Sequence, residues 1–314
     1  MRNAKQIKPT KKRAKLNIDL VLAILLLSLI AGLAIYGFFI SPYGVNELTP
    51  EGKLQAPSAL HPCGTDHLGR DILTRLGQAG VYSLAIAAGI VALGAFLGYV
   101  IGAASGFFGG FVDWILSRLT DSLLAFPGIL MALLIITVLG RGMPALILSL
   151  GLAFVPSFAR IVRSAFQGLR TENFVKRLEI MDAPSWRIIL VHLTPLVAPD
   201  YLNAMVLGLA NAILAESSLS FLGFGIQAPR PSWGSMLADS RAYLFRAPYY
   251  PLFTGLALVL TVLAFFLLRR GLDYRHQQKL MSSKQQKEPL TAGVELAGAK
   301  LELPERLKEM SKHD

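Results

Sequence analysis

The side chains able to do chemistry here are few, and the sharpest is a carboxylate. Glu216 stands inside an apolar run (NAILAESSLSFLG), where an ionisable group costs about 3 kcal/mol unless it faces water, a partner or a pathway. Ser217, Ser218 and Ser220 beside it offer hydroxyls, so a local helix anchor and a lining of a pathway are both open readings. His61, Cys63, Asp66 and His67 crowd into one short stretch, and imidazole and thiolate are donors that suit nickel. Cys63 is the only cysteine, which excludes an intrachain disulfide framework and a cysteine-rich metal cluster. The sequence carries no GxxxxGK[ST], hence no phosphate-cradling loop, and no HExxH. All five histidines lie outside the apolar runs, which disfavours a membrane-embedded hydrolase using His as base.

These residues are positioned by elements built for a bilayer. Of 314 residues, 53% are hydrophobic and 16% charged, and the mean hydropathy is +0.50, a balance that would leave a soluble domain with more apolar surface than its core could bury. The net charge of +11 would suggest nucleic acid as partner in a soluble protein, but the basic residues stand at the ends of apolar runs and mark topology instead. A basic stretch, 1–18, precedes an apolar run at 19–41, longer than a signal-peptide core and ending in SPYG without a small-x-small cleavage pattern, so it is read as an uncleaved first span, a cleaved signal being the competing reading.

Further apolar segments run near 81–107, 119–139, 145–159, 201–222 and 252–268, each bounded by Gly or charged joints, which predicts about six transmembrane helices in an all-α membrane protein. The 42–80 stretch reads as a loop with a short amphipathic piece around Asp71 to Leu76. The five later spans form a core over 81–270, interrupted by a charged segment at 160–200, and 271–314 reads as a mobile tail with a short helix near Pro304 to Met310. With the N-terminus inside, 24 of the 31 Lys and Arg fall on the cytoplasmic side, which places both termini and 160–200 in the cytoplasm and 42–80 outside. Gly94, Gly98 and Gly102 recur at four-residue spacing in the second span, which predicts close packing against another helix, the competing reading being small residues facing lipid.

The charged segment has an apolar face of its own. Helical spacing puts Phe174, Leu178 and Met181 on one side and Lys176, Arg177 and Glu179 around the rest. Asp182, Ala183 and Pro184 follow as a corner, and a second short helix starts there and ends before Pro195. Two short helices at an angle make a plug that a soluble partner can grip; the competing reading is a solvated connector.

Four stretches resemble one family, the inner-membrane permeases of the dipeptide, oligopeptide and nickel ABC importers, of the type I importer superfamily. They are GTDHLGRDILTRL from Gly64, GFFGGFVDWILSRLTDSLLAFP from Gly106, the segment from Phe174 to Pro195, and SLSFLGFGIQAPRPSWGSML from Ser218. The first two supply the motif positions Gly64, Asp66, Gly69, Arg70, Asp71, Asp113, Arg118, Asp121 and Pro127. The superfamily's cytoplasmic pattern is EAA, three residues, G, nine residues, I, any residue, LP. Its spacing is kept from Lys176 to Pro195, but Lys176, Arg177 and Leu178 replace EAA, Asp182 replaces Gly, and His192 and Thr194 stand at the Ile and Leu positions.

The resemblance implies a bacterial inner-membrane subunit that takes no part in catalysis. Its cargo would be di- or oligopeptides, or alternatively nickel or another small solute, and its own residues would hold no metal. Implied partners are a second homologous permease, two cytoplasmic ATPases that bind ATP and Mg, an external substrate-binding protein and lipid, with no nucleic acid. Phe174, Lys176, Arg177, Leu178, Asp182, Ala183, Pro184 and Pro195 would form the coupling segment. A stand-alone channel or secondary transporter is the rival of another class; it would need coupling-ion groups or broken helices, for which Glu216 alone is thin support.

Overall fold

The computed structural model describes residues 18–49 and 52–299, with side chains to Tyr274. The basic N-terminal stretch and the helix expected near Pro304 lie outside the described residues. The chain divides into two units, Met1–Arg270 and Gly271–Asp314. Among the described residues the first unit is helical and carries no strand, only an isolated bridge between Thr65 and Asp71.

The first span, α1 (Ile18–Ile35), runs on through a π turn at Tyr36–Ile40 and turns most of its apolar side chains outward, as a helix in lipid does. The second, α2 (Ile72–Phe108), starts eight residues before the loop was expected to end. Its polar first turns, Thr74, Arg75 and Gln78, hide a helix start that Asp71 makes: the carboxylate accepts from Thr74 N at 2.8 Å and Thr74 Oγ1 at 2.6 Å. Arg75 donates to the Val45 carbonyl at 3.1 Å and Gln78 to that of Gly37 at 2.9 Å, so both side chains hydrogen-bond to earlier segments of the chain.

The expected span at 119–139 is broken. Two helices, α3 (Gly110–Leu124) and α4 (Gly128–Leu139), meet at 87°, because Pro127 lacks an N–H and disfavours helix in the residue before it. α3 buries no side chain completely. Among the described residues five other helical stretches are long and apolar enough to cross a membrane, which makes six if the bent pair is one span.

α5 (Met143–Arg170) extends well past 159 into the charged segment, carrying Arg160 and Arg163 with it. It packs along α2 on a seam of glycines. A Cβ at Gly94 would stand 2.9 Å from the Gly151 carbonyl, one at Gly98 2.9 Å from Ala159 N, one at Gly102 2.8 Å from Val162 Cβ and one at Gly106 2.7 Å from the Arg163 carbonyl. Backbone thus touches backbone over four turns, as small-residue helix packing in lipid requires. The small residues therefore face protein.

Beyond α5 come α6 (Asn173–Ile180) and a short α7 (Ser185–Arg187), which continues through a π-helical segment (Ile188–Leu193) into α8 (Thr194–Phe221). The second cytoplasmic helix was expected to stop before Pro195; instead the helix widens and runs through it. Widening accommodates the proline, whose ring would clash with the carbonyl four residues back in an α-helix.

α9 (Trp233–Ser240) opens with a capping box, Ser232 accepting from Ser235 N at 3.1 Å and Ser235 Oγ from Ser232 N at 2.9 Å. Trp233 is fully buried over Gly80, its indole donating to the Leu76 carbonyl at 3.1 Å. The last helix, α10 (Tyr249–Ala299), is apolar to about Tyr274, and helix persists to Ala299, where a mobile tail with a short helix only near Pro304 is expected from the sequence.

Gly98→Ala should force α2 away from α5, because the added carbon would lie 2.5 Å from Phe158 Cβ with backbone atoms close behind. The expected cost is about 1–3 kcal/mol, visible as a lowered thermal unfolding midpoint in detergent; an unchanged midpoint would show that the seam can open freely.

Candidate functional site

The segment from α5 to α8 forms an exposed plug on a small core of its own. Val175 of α6 is fully buried, and Leu178 and Ala183 pack beside it against Ile188, Leu193, Phe166, Val162 and Phe107. The corner is a Schellman turn: Asp182 takes φ of 53°, its N–H reaches the Glu179 carbonyl at 3.1 Å and Ala183 N reaches that of Leu178 at 3.1 Å. Asp182 thus meets the left-handed geometry of the Gly position it occupies, and the next helix is capped at Pro184 without a side-chain bond.

The inward face differs from the expected one. Val175 and Leu178 point in, while Phe174 and Met181 do not: Phe174, Ile180, Met181 and Trp186 are exposed, Ile180 at 81% and Met181 at 77%. The expected period started one residue early, on Phe174 instead of Val175. Lys176, Arg177 and Arg187 are exposed on the same corner together with Glu172, Glu179 and Asp182, and Pro184 and Pro195 are also exposed. Exposed apolar side chains among charges of both signs, presented on a self-supporting corner, make a surface suited to being covered.

The 61–75 motif is a compact polar turn that starts α2. Asp66 is fully buried, receiving Arg70 Nε at 2.6 Å, Leu68 N at 2.8 Å and Arg70 N at 3.0 Å, with Arg75 Nε at 3.6 Å. Asp71, besides capping α2, meets His61 Nδ1 at 3.0 Å. Gly64 and Gly69 take positive φ, and a Cβ on Gly64 would lie 2.6 Å from the Gln55 carbonyl. His67 stacks on Tyr243, ring centroids 5.3 Å apart. His61, Asp66 and His67 are therefore engaged in different directions, and among the described residues no three His, Cys, Asp or Glu side chains converge as metal ligands. Burial and the nearby Asp71 carboxylate push the Cys63 thiol up to about 11.

The second motif fastens α3 to α5. Asp113 receives Arg163 Nε at 2.5 Å and a second guanidinium nitrogen at 2.8 Å, with Ser105, Ser117 and Gln167 also donating to it. Asp121 meets Arg160 at 3.4 Å, Arg118 is exposed, and Pro127 makes the bend. Arg160 and Arg163 were read as marking a segment too charged for a span; their partners on α3 are what sequence spacing could not show.

Glu216 is fully buried. It accepts from Ser220 Oγ at 2.6 Å and Ser217 Oγ at 3.3 Å, and the hydroxyls of Ser232, before α9, and Ser83, on α2, also bond to it. Ser218 turns away to the Leu214 carbonyl. The carboxylate thus gathers α8, α2 and the start of α9.

Apolar helices long enough to cross a bilayer, with an exposed helical corner between α5 and α8, define a multi-pass membrane protein. Residues 94–281 match the binding-protein-dependent transport system inner membrane component family, and the chain belongs to that family. It is 35% identical over 271 residues to the dipeptide transport system permease protein DppC of Alkalihalophilus pseudofirmus, covering 86% of this chain and 89% of that one. It is 34% identical over 263 residues to the glutathione transport system permease protein GsiD of Pectobacterium atrosepticum, covering 83% and 87%. A chain of the inward-facing MetNI methionine ABC transporter aligns with TM-score 0.49 at 19% identity, over 65% of this chain and 95% of that one. The protein is a multi-pass inner-membrane permease component of an ABC importer, a family whose members work with ATPase and binding-protein partners.

Two outcomes are expected. Alkylation of Cys63 should run about two orders of magnitude slower at neutral pH than that of an ordinary thiol with pKa 9.0, and should rise steeply only toward pH 11, because the thiolate alone reacts; rapid labelling near pH 8 would contradict the buried site. Glu216→Gln should keep substrate uptake within about twofold, since the amide can still bond to the serine hydroxyls, whereas Glu216→Leu should lower the yield of folded protein. A folded Gln variant with abolished uptake would assign Glu216 to the pathway.

Proposed function

We propose that this chain forms one half of the translocation pathway of an importer for di- or oligopeptides. The other half is a second, homologous permease; two cytoplasmic ATPases bind ATP and Mg, and an external binding protein delivers the cargo. The peptide assignment is supported by the relatives, one named for dipeptides and one for glutathione, itself a short peptide. The excess of Lys and Arg on one side supports cytoplasmic termini, a cytoplasmic α6–α7 corner and an external 42–80 segment.

The observation that carries the mechanism is the exposure of Phe174, Ile180, Met181 and Trp186 on the same short corner as Lys176 and Arg177. Seated in a cleft of an ATPase, the patch leaves water, and Lys176 and Arg177 set orientation by charge. ATP binding draws the two ATPases together, α6 and α7 move with them, and the spans pass from inward-open to outward-open, where the binding protein releases its cargo.

Reversing charge at Lys176 and Arg177, both to Glu, should leave the chain in the membrane while lowering copurified ATPase and ATP-driven peptide uptake by about tenfold or more. The measurement is a mild-detergent pull-down with mass spectrometry, paired with uptake in membrane vesicles. Undiminished uptake in the double variant would defeat the docking role, and a wild-type chain that brings down no Walker-motif ATPase would defeat the importer mechanism.

A further inference from the structure

Between the docking corner and the span that follows it, the helix is not α-helical. Over Ile188–Leu193 it is wound as π-helix, and at its far end Thr194 N–H reaches back five residues to the Ile189 carbonyl instead of four to Leu190. The Thr194 hydroxyl donates to that same carbonyl at 2.7 Å, so backbone and side chain of one residue both hold the wider register. The Thr194 oxygen in turn lies 2.5 Å from the Tyr99 hydroxyl of α2.

Pro195 explains why the register must change here, since it brings no N–H and its ring would press on the Val191 carbonyl in an α-helix. It does not explain why the change is held in place from another helix. Tyr99 is itself fixed, edge-on to Phe166 of α5 with centroids 6.3 Å apart and tilted against Tyr201 of α8 at 6.1 Å. Ile188 and Leu193, the two ends of the π segment, are fully buried in the cluster that also holds Val175 of α6. Wide helical turns are weaker than α turns and gather at functional positions. This one lies on the covalent route from the docking corner to α8.

We propose that the hydrogen-bond chain from Tyr99 through Thr194 to the Ile189 carbonyl pins a π-helical joint between the docking corner and α8, making Tyr99 and Thr194 positioning residues for coupling. The joint sets the rotation at which α6 and α7 are carried on α8. With the chain intact, a displacement of the corner turns α8 against α2; with it broken, the π turn absorbs the displacement. The family pattern places Leu, which has no hydroxyl, where Thr194 stands, so the device belongs to this chain's own departure from that pattern.

The inference rests on the docking reading above, and its test separates the two. Thr194→Val, Tyr99→Phe and the double variant are purified with their partners, reconstituted in liposomes, and measured for amide exchange across Ile188–Leu193 and for peptide uptake per ATP hydrolysed. Each single variant should exchange about fivefold faster there, the effect of one hydrogen bond, and uptake per ATP should fall by a similar factor. The double variant should be no worse than Thr194→Val, because both act through one chain of bonds. Unchanged exchange or unchanged uptake per ATP in Thr194→Val overturns the proposal, as does a double variant whose losses multiply. A wild-type chain without ATPase would overturn the docking reading, and the exchange data would still decide whether the bond chain pins the joint.

Discussion

The contact of α2 with α5 is the constraint on which the other elements depend. In lipid no hydrophobic driving force draws two helices together, so they hold by close packing, and closeness is available only where side chains are absent. Gly94, Gly98, Gly102 and Gly106 provide it along one face of α2, and Gly151 provides it once from the other side, against Leu93. Dispersion over so long a seam adds up although each contact is small. Because α2 is 37 residues long, the seam reaches from the main core to the separate cluster around Val175, and it fixes the docking corner relative to the spans.

With that axis fixed, polar groups set the remaining elements, and each is answered by a partner. Asp113 fastens α3 through Arg163, Glu216 gathers α8, α2 and the start of α9, and Asp66 with Asp71 winds the loop before α2 onto its first turn. A carboxylate half out of water is strong only when its lone pairs are filled, and the Asp113 site fills them with a bidentate guanidinium and hydroxyls. α3, which buries no side chain completely, is held to this chain mainly through that pair and the Arg160–Asp121 pair beyond it. Its apolar face, with Phe111 stacked on Trp114, is left outward.

Long apolar runs made the spans legible from sequence, and four-residue glycine spacing made the α2 seam legible too. Four things were not, each for a physical reason. Hydropathy sees polar side chains but not their partners, so Thr74, Arg75 and Gln78 concealed the start of α2, and Arg160 and Arg163 concealed the end of α5. A run of apolar residues does not reveal a bend, so Pro127 alone had to carry the news that 119–139 is two helices. In the docking corner, Phe174 and Val175 are both apolar and adjacent, and only the position of Phe166 and Ile188 decides which one is buried. The serines beside Glu216 were visible, but Ser83 and Ser232 come from more than a hundred residues upstream and from past the end of the helix.

The departures from the family pattern acquire sense from this geometry. Asp182 is acceptable at a Gly position because a Schellman turn needs one residue at positive φ, and Asp adopts it at less cost than most residues. Lys176 and Arg177, at positions where the pattern carries Glu and Ala, are both exposed, whereas Leu178, at its second Ala, turns inward to the small core. Substitution at Lys176 and Arg177 changes the exposed surface without disturbing the core that supports it, to which Leu178 belongs. Thr194 differs in kind, for it is half-buried and bonded both to its own helix and to α2. On the proposed docking role, a change at the surface would alter which partner is recognised and a change at Thr194 how the corner is joined to the span behind it, so the two could vary independently.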